Sequence, residues 1–421
     1  MKEIEFAEKV NTAGGTTYIV GGWVRDELMN QEPKDKDYCV TGFDKTLFLG
    51  TFPEAQQVIG QNGKKNVEVF LLDINGNREE IALARKEIKQ GEGYHGFKFI
   101  SNKDITIEDD LYRRDLTINS MAINILTNEL IDPYGGKQDI ENKVLRATSE
   151  AFYEDPLRVY RVAVRHAKTG FEVDDKTKEM MKIASQELHT VKKERVVQEL
   201  KKSLTSDNPD KFFRLLQEIE VLDIHFGHLD NLYGVIQPVQ HHPEGDAFEH
   251  TMRVLTAMRK LTSKEERLFS ALVHDLGKGI TPKELLPKHH GHESAGVPLV
   301  KEMCKELGVP KKWEQAALFA TENHGKFHSL GNMRDIRIVD LLNEAEKNPL
   351  TVEGFADVAL SDSRGKENPN EHHPYYTFAL EVIREISKVK GNKELEGLKA
   401  KEDKRKRQAA IVKSIKKEWF N

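Results

Sequence analysis

Apolar positions in the first part of the chain, to about residue 145, come in short runs broken by glycine-bearing turns. Thr17-Tyr18-Ile19-Val20 reads as a strand that stops at Gly21-Gly22, and Trp23 to Met29 reads as a helix. Val67 to Leu72 predicts a second strand, Asn75-Gly76-Asn77 a turn, and Glu80 to Leu83 the returning strand. The pattern then changes. From about Ser149 to Leu232 apolar residues recur at three- and four-residue intervals with few β-branched runs, the period of amphipathic helices. His241 to about Gly365 continues this period but is rich in histidine and aspartate, and the segment after Tyr375 is helical and basic. No internal repeat or low-complexity linker interrupts the series. The expected fold class is α+β: a mixed-sheet head over 1–145, an all-α neck and body over 146–235, an all-α domain over 236–370, and a basic helical tail over 371–421.

Composition changes this picture little. A chain of 421 residues is long enough for two or three domains, each with its own core, and 38% hydrophobic with 32% charged residues describes an ordinary soluble protein. A net charge of −5 excludes a globally basic nucleic-acid binder, so any RNA contact rests on local patches. The runs Lys401 to Arg407 and Lys413 to Lys417 are such patches, although a charge run most commonly forms a solvated helix face. Cys39 and Cys304 lie far apart without metal-ligand spacing, which argues against a disulfide framework or structural zinc and fits a reducing cytosol. Met1 to Glu5 carries no apolar signal core, and no stretch is long and apolar enough to span a bilayer. A cytoplasmic protein without a membrane partner is expected, and no sequence feature chooses between monomer and homodimer.

Candidate chemistry gathers first at the glycine turn. Gly21 and Gly22 lie between strand and helix, where glycine permits a tight turn or lets backbone N–H groups approach a phosphate. Lys34-Asp35-Lys36-Asp37-Tyr38-Cys39-Val40 comes next; residues two apart on a strand share a face, so Asp35 and Asp37 can aim at one point. Such a pair either begins an exposed polar strand or repels itself around a cation. Glu80, opening the strand after the hairpin, can add a carboxylate from a neighbouring strand. Three carboxylates beside a Gly-Gly turn suit a two-Mg²⁺ site for in-line phosphoryl transfer.

At these residues the chain resembles the class II nucleotidyltransferases, the family of bacterial CCA-adding enzymes and poly(A) polymerases. The resemblance is carried by Gly21-Gly22-Trp23-Val24-Arg25-Asp26, by Asp35-Lys36-Asp37, and by Arg113-Arg114-Asp115-Leu116-Thr117-Ile118-Asn119. It implies a polymerase-β-like head in which Asp35 and Asp37 bind Mg²⁺ and Glu80 supports them. Gly21, Gly22, Arg25 and Arg114 would then contact the incoming nucleotide. Gly91 to Phe97 matches a glycine-rich loop of the family, and Asn62-Gly63-Lys64-Lys65 reads as a short insertion.

Glu154-Asp155-Pro156-Leu157-Arg158-Val159-Tyr160-Arg161 reads as a helix start, with acids and a proline in the first turn and Asp155 and Arg158 on one face. Taken alone it is an intrahelical ion pair. In the resembled family, Glu154-Asp155-x-x-Arg158 matches an amino-acid template for base choice. An accepting aspartate and a donating arginine satisfy the Watson–Crick edges of cytosine and adenine, whereas uracil and guanine present the opposite order. Glu154, Asp155, Arg158 and Arg161 are therefore nucleotide-binding candidates, and CTP and ATP the expected substrates. The chain departs from the family after Arg161: Val162-Ala163-Val164-Arg165-His166 stands where a further Arg-Phe is usual, and Arg165 is the nearest arginine.

His250, His274-Asp275 and Asp362 have the order of an HD metal site, since imidazole and carboxylate suit divalent transition metals such as Ni²⁺ or Mn²⁺. The pair His274-Asp275 sits in an apolar helix expected to end at Gly277, where buried charge needs a partner. His289, His290, His292 and His324 can line the same site or hold a second metal. This part resembles the HD phosphohydrolases fused to CCA-adding enzymes. That resemblance implies 2′,3′-cyclic phosphodiesterase, 2′-nucleotidase and phosphatase activities, with Lys278 steadying developing charge. The expectation is template-independent addition of CCA to a tRNA 3′ end plus phosphohydrolysis. A poly(A) polymerase of the same superfamily, and an HD hydrolase with a non-catalytic RNA-binding head, remain as alternatives.

Overall fold

The computed structural model describes residues 1–33, 35–58, 68–89, 97–240, 242–366, 372–392 and 395–420. Lys34, the insertion at 62–65, Val67, the glycine-rich loop at 91–96 and His241 fall outside them. The chain divides into two compact units, Met1–Val191 and Lys192–Asn421.

The first unit is built on a seven-stranded mixed sheet. Its strands are β1 (Thr16–Val20), β2 (Asp37–Thr41), β3 (Gln56–Val58), β4 (Val69–Ile74), β5 (Asn77–Leu83), β8 (Ala122–Asn124) and β9 (Leu130–Ile131), and a separate ribbon pairs β6 (Lys86–Lys89) with β7 (Phe97–Ile100). The order is β3-β4-β5-β2-β1-β8-β9, antiparallel throughout except for the parallel pair β2–β5. Asn75 and Gly76 both take positive φ, +52° and +85°, the backbone of a two-residue hairpin turn, and they close β4 onto β5 with Ile74 opposite Asn77.

Side chains alternate across this sheet. Tyr38, Val40, Phe70 and Ile81 enter a core with Phe6, Phe48 and Phe52, while Cys39 packs on the other face with Val20, Ala84, Leu111 and Ala122. Asp37 shares the Cys39 face. The parallel register sets it directly opposite Glu80, with Tyr38 opposite Ile81 one residue on. Two sequence expectations need correction. β2 begins at Asp37, so Asp35 precedes the strand: β1, its antiparallel partner, stops at Val20 opposite Asp37, and no pairing reaches further. Glu80 lies in the middle of β5 rather than at its start, because the hairpin turn is only two residues long.

The second unit is helical. Met252, Leu255, Phe269, Leu272, Phe327 and Phe355 lie in its interior, and so do the side chains of His250 and His274. The basic tail forms the Gly397–Phe420 helix, which buries Gln408, Val412 and Ile415 and leaves Lys401, Lys406, Lys413 and Lys417 exposed. Arg405 of this helix pairs with Asp340. Among the described residues no helix is long and apolar enough to cross a membrane.

Candidate active sites

Gly21 ends β1 with φ +72°, a left-handed backbone that favours glycine. A Cβ there would lie 2.8 Å from Arg114 Nη1, so the bare turn is what lets the guanidinium approach. Arg114 is held from behind. The short helix Ile107–Tyr112, capped by Thr106, carries Asp110 at its buried face. Asp110 Oδ1 accepts from Arg113 Nε and Nη2 at 3.0 and 2.6 Å, and Oδ2 accepts from Arg114 Nη2 at 3.0 Å. Burial opposes ionisation of Asp110, but Arg113, Arg114 and Arg85 override it and hold the carboxyl well below its usual range. A second chain of bonds fixes the opposite wall: Arg25 Nη1 donates to Asn119 Oδ1 at 2.5 Å, Asn119 Nδ2 donates to Asp115 Oδ1 at 3.0 Å, and Arg161 pairs with Asp115 Oδ2 at 2.8 Å.

These groups surround a polar cleft of about 330 Å³ lined by Gly21, Gly22, Asp37, Asp115, Asn119 and the arginines 25, 113, 114, 158, 161 and 165. Burial raises the pKa of the Asp37 carboxyl, with Asp35 adding to the rise and Arg114 opposing it. A carboxylate so disfavoured, beside a second one and a crowd of guanidinium groups, suits a cation and a polyanion bound together. Asp35, Asp37 and Glu80 are all exposed, and of the three only Asp37 lines the cleft. Arg165, one helical turn after Arg161, lines the cleft; burial and the neighbouring Arg25 bring its pKa down to about 10.

The segment around Asp155 differs from the expected helix start. Glu154 ends a 3-10 turn, Asp155 is extended (φ −122°, ψ 106°), and the helix begins only at Arg158. Proline at 156 pushes the residue before it out of the helical region, so Asp155 and Arg158 do not share a helical face. Asp155 instead caps the turn, its Oδ1 accepting from Leu157 N at 3.1 Å and its carbonyl from Arg158 N at 2.9 Å. The Arg158 guanidinium donates to the carbonyls of Ala151 and Arg113 at 2.6 and 2.5 Å. Asp110 was missed by sequence reasoning; its signal was the spacing of three and four residues to Arg113 and Arg114.

In the second unit four helices deliver the histidine cluster. His250 comes from Ala247–Leu261, His292 opens His292–Leu307, His324 sits in Lys311–Phe327, and Asp362 in Thr351–Gly365. His274 and Asp275 do not lie inside a helix as expected. The Glu265–Val273 helix stops just before them, and Asp275 turns the chain into the 3-10 segment Leu276–Ile280. Gly277 then presses on the start of the His292 helix so closely that a Cβ would meet His292 O at 2.0 Å. The same approach accompanies a 3.2 Å contact between Asp275 Oδ1 and His292 Nε2.

His250 Nε2 lies 2.9 Å from Asp362 Oδ1 and 3.8 Å from Asp275 Oδ2, and His274 Nε2 lies 3.2 Å from the same Asp275 oxygen. Their other ring nitrogens are fixed: His250 Nδ1 on Glu244 Oε1 at 2.7 Å and His274 Nδ1 on the Ala271 carbonyl at 2.8 Å. Burial resists ionisation of Glu244, but its bonds to His250 and His242 bring its pKa down to about 2, so it accepts the Nδ1 proton. In the neutral imidazoles each Nε2 then turns a lone pair inward. His274 Nε2 and Asp275 Oδ1 are buried without a hydrogen-bond partner among the described residues. Buried orphan acceptors of this kind fit a metal ion. Burial opposes charge on Asp275 and Asp362, yet His274 and Lys278 on one side, and His250 and His328 on the other, hold both carboxyls well below their usual range.

A cleft of about 610 Å³ opens over this cluster. Lys278 Nζ pairs with Asp275 Oδ2 and donates to Gln237 Oε1, each at 2.7 Å. His289, named among the extra histidines, is spent on Thr281 Oγ1 and the Ile236 carbonyl, whereas His292 and His324 reach Asp275. Sequence reasoning missed Glu244 and also His328, whose Nε2 lies 2.6 Å from Asp362 Oδ2 and whose Nδ1 meets His373 Nε2 at 2.9 Å. Their order along the chain gave no sign of this contact.

Fold and sites define a nucleotidyltransferase head joined in one chain to an HD-type domain. Residues 17–146 match the family model of the poly A polymerase head domain, 170–232 that of a probable RNA and SrmB-binding site of polymerase A, and 247–359 that of the HD domain. The multifunctional CCA protein of Haemophilus influenzae (strain PittGG) is 39% identical over 386 residues, covering 88% of this chain and 90% of that protein. The chain belongs to the multifunctional CCA protein family. Solved structures share the fold at lower identity. A CCA-adding enzyme in its apo form II superimposes with a TM-score of 0.67 at 18% identity, covering 97% of this chain and 90% of that one. The Bacillus stearothermophilus CCA-adding enzyme in complex with CTP gives 0.66 at 17%, covering 98% and 92%.

Proposed function

We propose that the chain completes or repairs the 3′-terminal CCA of tRNA from CTP and ATP without a nucleic-acid template, and that its HD domain hydrolyses phosphate esters. The observation that carries the first activity is the arginine-lined cleft around Asp37, where a partly suppressed carboxylate and a dense positive field await a cation and a triphosphate. Family membership supports tRNA as the acceptor. In this reading Asp35 and Asp37 hold Mg²⁺ with Glu80 in support. When bound, the cation neutralises phosphate charge and eases ionisation of the attacking 3′-hydroxyl. Gly21, Gly22, Arg25 and Arg114 hold the triphosphate, and Arg161, steadied by Asp115, adds positive charge on the same cleft.

Base choice falls to Asp155 and Arg158, beside Glu154. The arginine donates to the ring acceptors of cytosine or adenine while the aspartate accepts from the exocyclic amine. Uracil or guanine would set like groups against each other. To read a base, Arg158 must share or exchange its bonds to the Ala151 and Arg113 carbonyls, which couples selection to the wall carrying Arg113.

In the HD domain, His250, His274, Asp275 and Asp362 are proposed to hold a divalent transition metal such as Ni²⁺ or Mn²⁺, which supplies Lewis acidity at a phosphoryl oxygen. Lys278 stands beside Asp275 to balance negative charge. Substrates are 2′,3′-cyclic phosphates, 2′-nucleotides and other phosphomonoesters, and the setting is the cytosol. Asp37→Ala should abolish nucleotide addition and spare phosphatase activity, and His250→Ala should do the reverse. Loss of both activities from either substitution in a folded protein would refute the assignment of separate centres.

A further inference from the structure

Lys36 stands in the sequence between Asp35 and Asp37, yet among the described residues its ion-pair partner is neither of them. Its Nζ donates to Glu3 Oε1 at 2.8 Å and lies over the Trp23 ring, 5.0 Å from the ring centre. The Tyr38 hydroxyl donates to the same Glu3 oxygen at 2.6 Å. Lys36 and Tyr38, two residues apart, thus reach one atom on the side where Tyr38 packs against Phe6 of the Glu3–Thr12 helix. Asp37, between them, faces the other way and lines the arginine-rich cleft. Glu3 is itself fixed: its N–H donates to Asn75 Oδ1 at 3.1 Å, on the turn that closes β4 onto β5, and Asn75 N donates to Met1 O at 2.9 Å. The sheet does not hold Asp35, for pairing of this segment with β1 and β5 begins at Asp37. An ammonium on a flexible stem, one residue from each acid, is a ready competitor for their charge. Turned towards the cleft, it would pair with Asp35 or Asp37 and take the place a divalent cation needs.

We propose that Glu3 and Trp23 act as a latch that holds the Lys36 ammonium off the Asp35–Asp37 pair and leaves both carboxylates free for a cation. Glu3 is then a positioning residue for nucleotide addition, acting from a helix outside the cleft lining. The inference rests on the reading of Asp35 and Asp37 as Mg²⁺ ligands. Three features support it. The Lys36 and Glu3 side chains are only 28% and 19% exposed, so water screens their pair less than one on the open surface. The face of Trp23 attracts the ammonium to the same side. Trp23 belongs to the helix Gly22–Leu28, which starts at the glycine turn, so the latch also ties the acidic segment to the element that begins the triphosphate wall.

The test follows the Mg²⁺ dependence of the full chain. Glu3→Ala frees Lys36, and the Mg²⁺ concentration for half-maximal nucleotide addition should rise about tenfold, the lower end of an opposite charge's effect on a neighbouring carboxylate. Adding Lys36→Met to Glu3→Ala removes the competing charge and should restore most of that loss. Calorimetric titration with CTP reads the same effect without turnover. In EDTA the affinity of Glu3→Ala for CTP should not fall, which also shows that its head is folded. With Mg²⁺ the gain in affinity should shrink in Glu3→Ala and recover in the double variant. If Glu3→Ala does not fold, Glu3→Gln, which removes the charge and keeps an acceptor for Tyr38, takes its place with a smaller rise. An unchanged Mg²⁺ requirement in the folded Glu3 variant, or a double variant as impaired as the single one, would overturn the latch. Loss of addition in Asp37→Ala would then leave the metal reading standing. Undiminished addition by Asp37→Ala would overturn that reading and the latch with it.

Discussion

Asp110 organises the head's cleft without lining it, and replacing it gives the sharpest mutational prediction. Its carboxylate has no exposed surface and bonds to two guanidinium groups, whose side chains are only 14% and 19% exposed. Asp110→Ala leaves both arginines without this anion in a region with little water. Breaking a buried ion pair by removing one partner costs about 3–5 kcal/mol. At about 1.4 kcal/mol per tenfold, that is roughly two to three and a half powers of ten in the folding equilibrium of the first unit. Asp110→Asn keeps the shape and one acceptor oxygen and should lose less, about 1–3 kcal/mol. Because Arg114 reaches the cleft beside Gly21, KM for CTP and ATP should rise in both variants, more in the alanine. Urea unfolding monitored by a probe in the head, together with steady-state kinetics of nucleotide addition, measures the two effects. A stability loss under about 1 kcal/mol in Asp110→Ala, with unchanged KM, would refute the claim that this carboxylate positions the arginine wall.

The same geometry sets further outcomes. Gly277→Ala sets a methyl group against the His292 carbonyl and the Gly296 amide, backbone atoms that cannot rotate aside. It should cost about 1–3 kcal/mol by overpacking, and phosphatase activity should fall much further than nucleotide addition. Asp110 and Asp115 both have depressed folded pKa values, for burial is outweighed by their arginines. Their stabilisation is present above the unfolded pKa near 4 and lost as pH falls through it towards the folded values. Asp37, shifted upward, acts in the opposite sense. The thermal stability of the head should fall below about pH 4, and less steeply in Asp110→Asn. Arg158→Ala should remove the preference for CTP and ATP over UTP and GTP, measured as the ratio of kcat/KM values.

Much of the head was legible in the sequence because its signals are local. Thr17–Val20 is a β-branched and aromatic run that ends at glycine, Asn75-Gly76 is a hairpin turn by its own conformational preference, and the helix after Gly22 needs no distant partner to be read. The facing of Asp37 and Glu80 was legible too, since strand parity fixes faces. Strand ends were not, because β2 starts where β1 stops pairing and that is a property of the neighbour. The helix placed over Glu154 to Arg161 failed at Pro156, whose restriction on Asp155 outweighs the helical pattern beyond it. His250, His274, Asp275 and Asp362 could be proposed from their order. Glu244, His328 and His373 could not, for they meet the cluster only through tertiary packing, and an isolated acid or histidine in a helical sequence reads as surface.

CCA addition can be read out by incubating the protein with Mg²⁺, CTP, ATP and a tRNA that ends just before its CCA, then sequencing the product 3′ ends. Two cytidines followed by one adenosine and then arrest are expected, with no incorporation from UTP or GTP. A long adenosine tail, or no extension under conditions where the HD domain remains active, would contradict it.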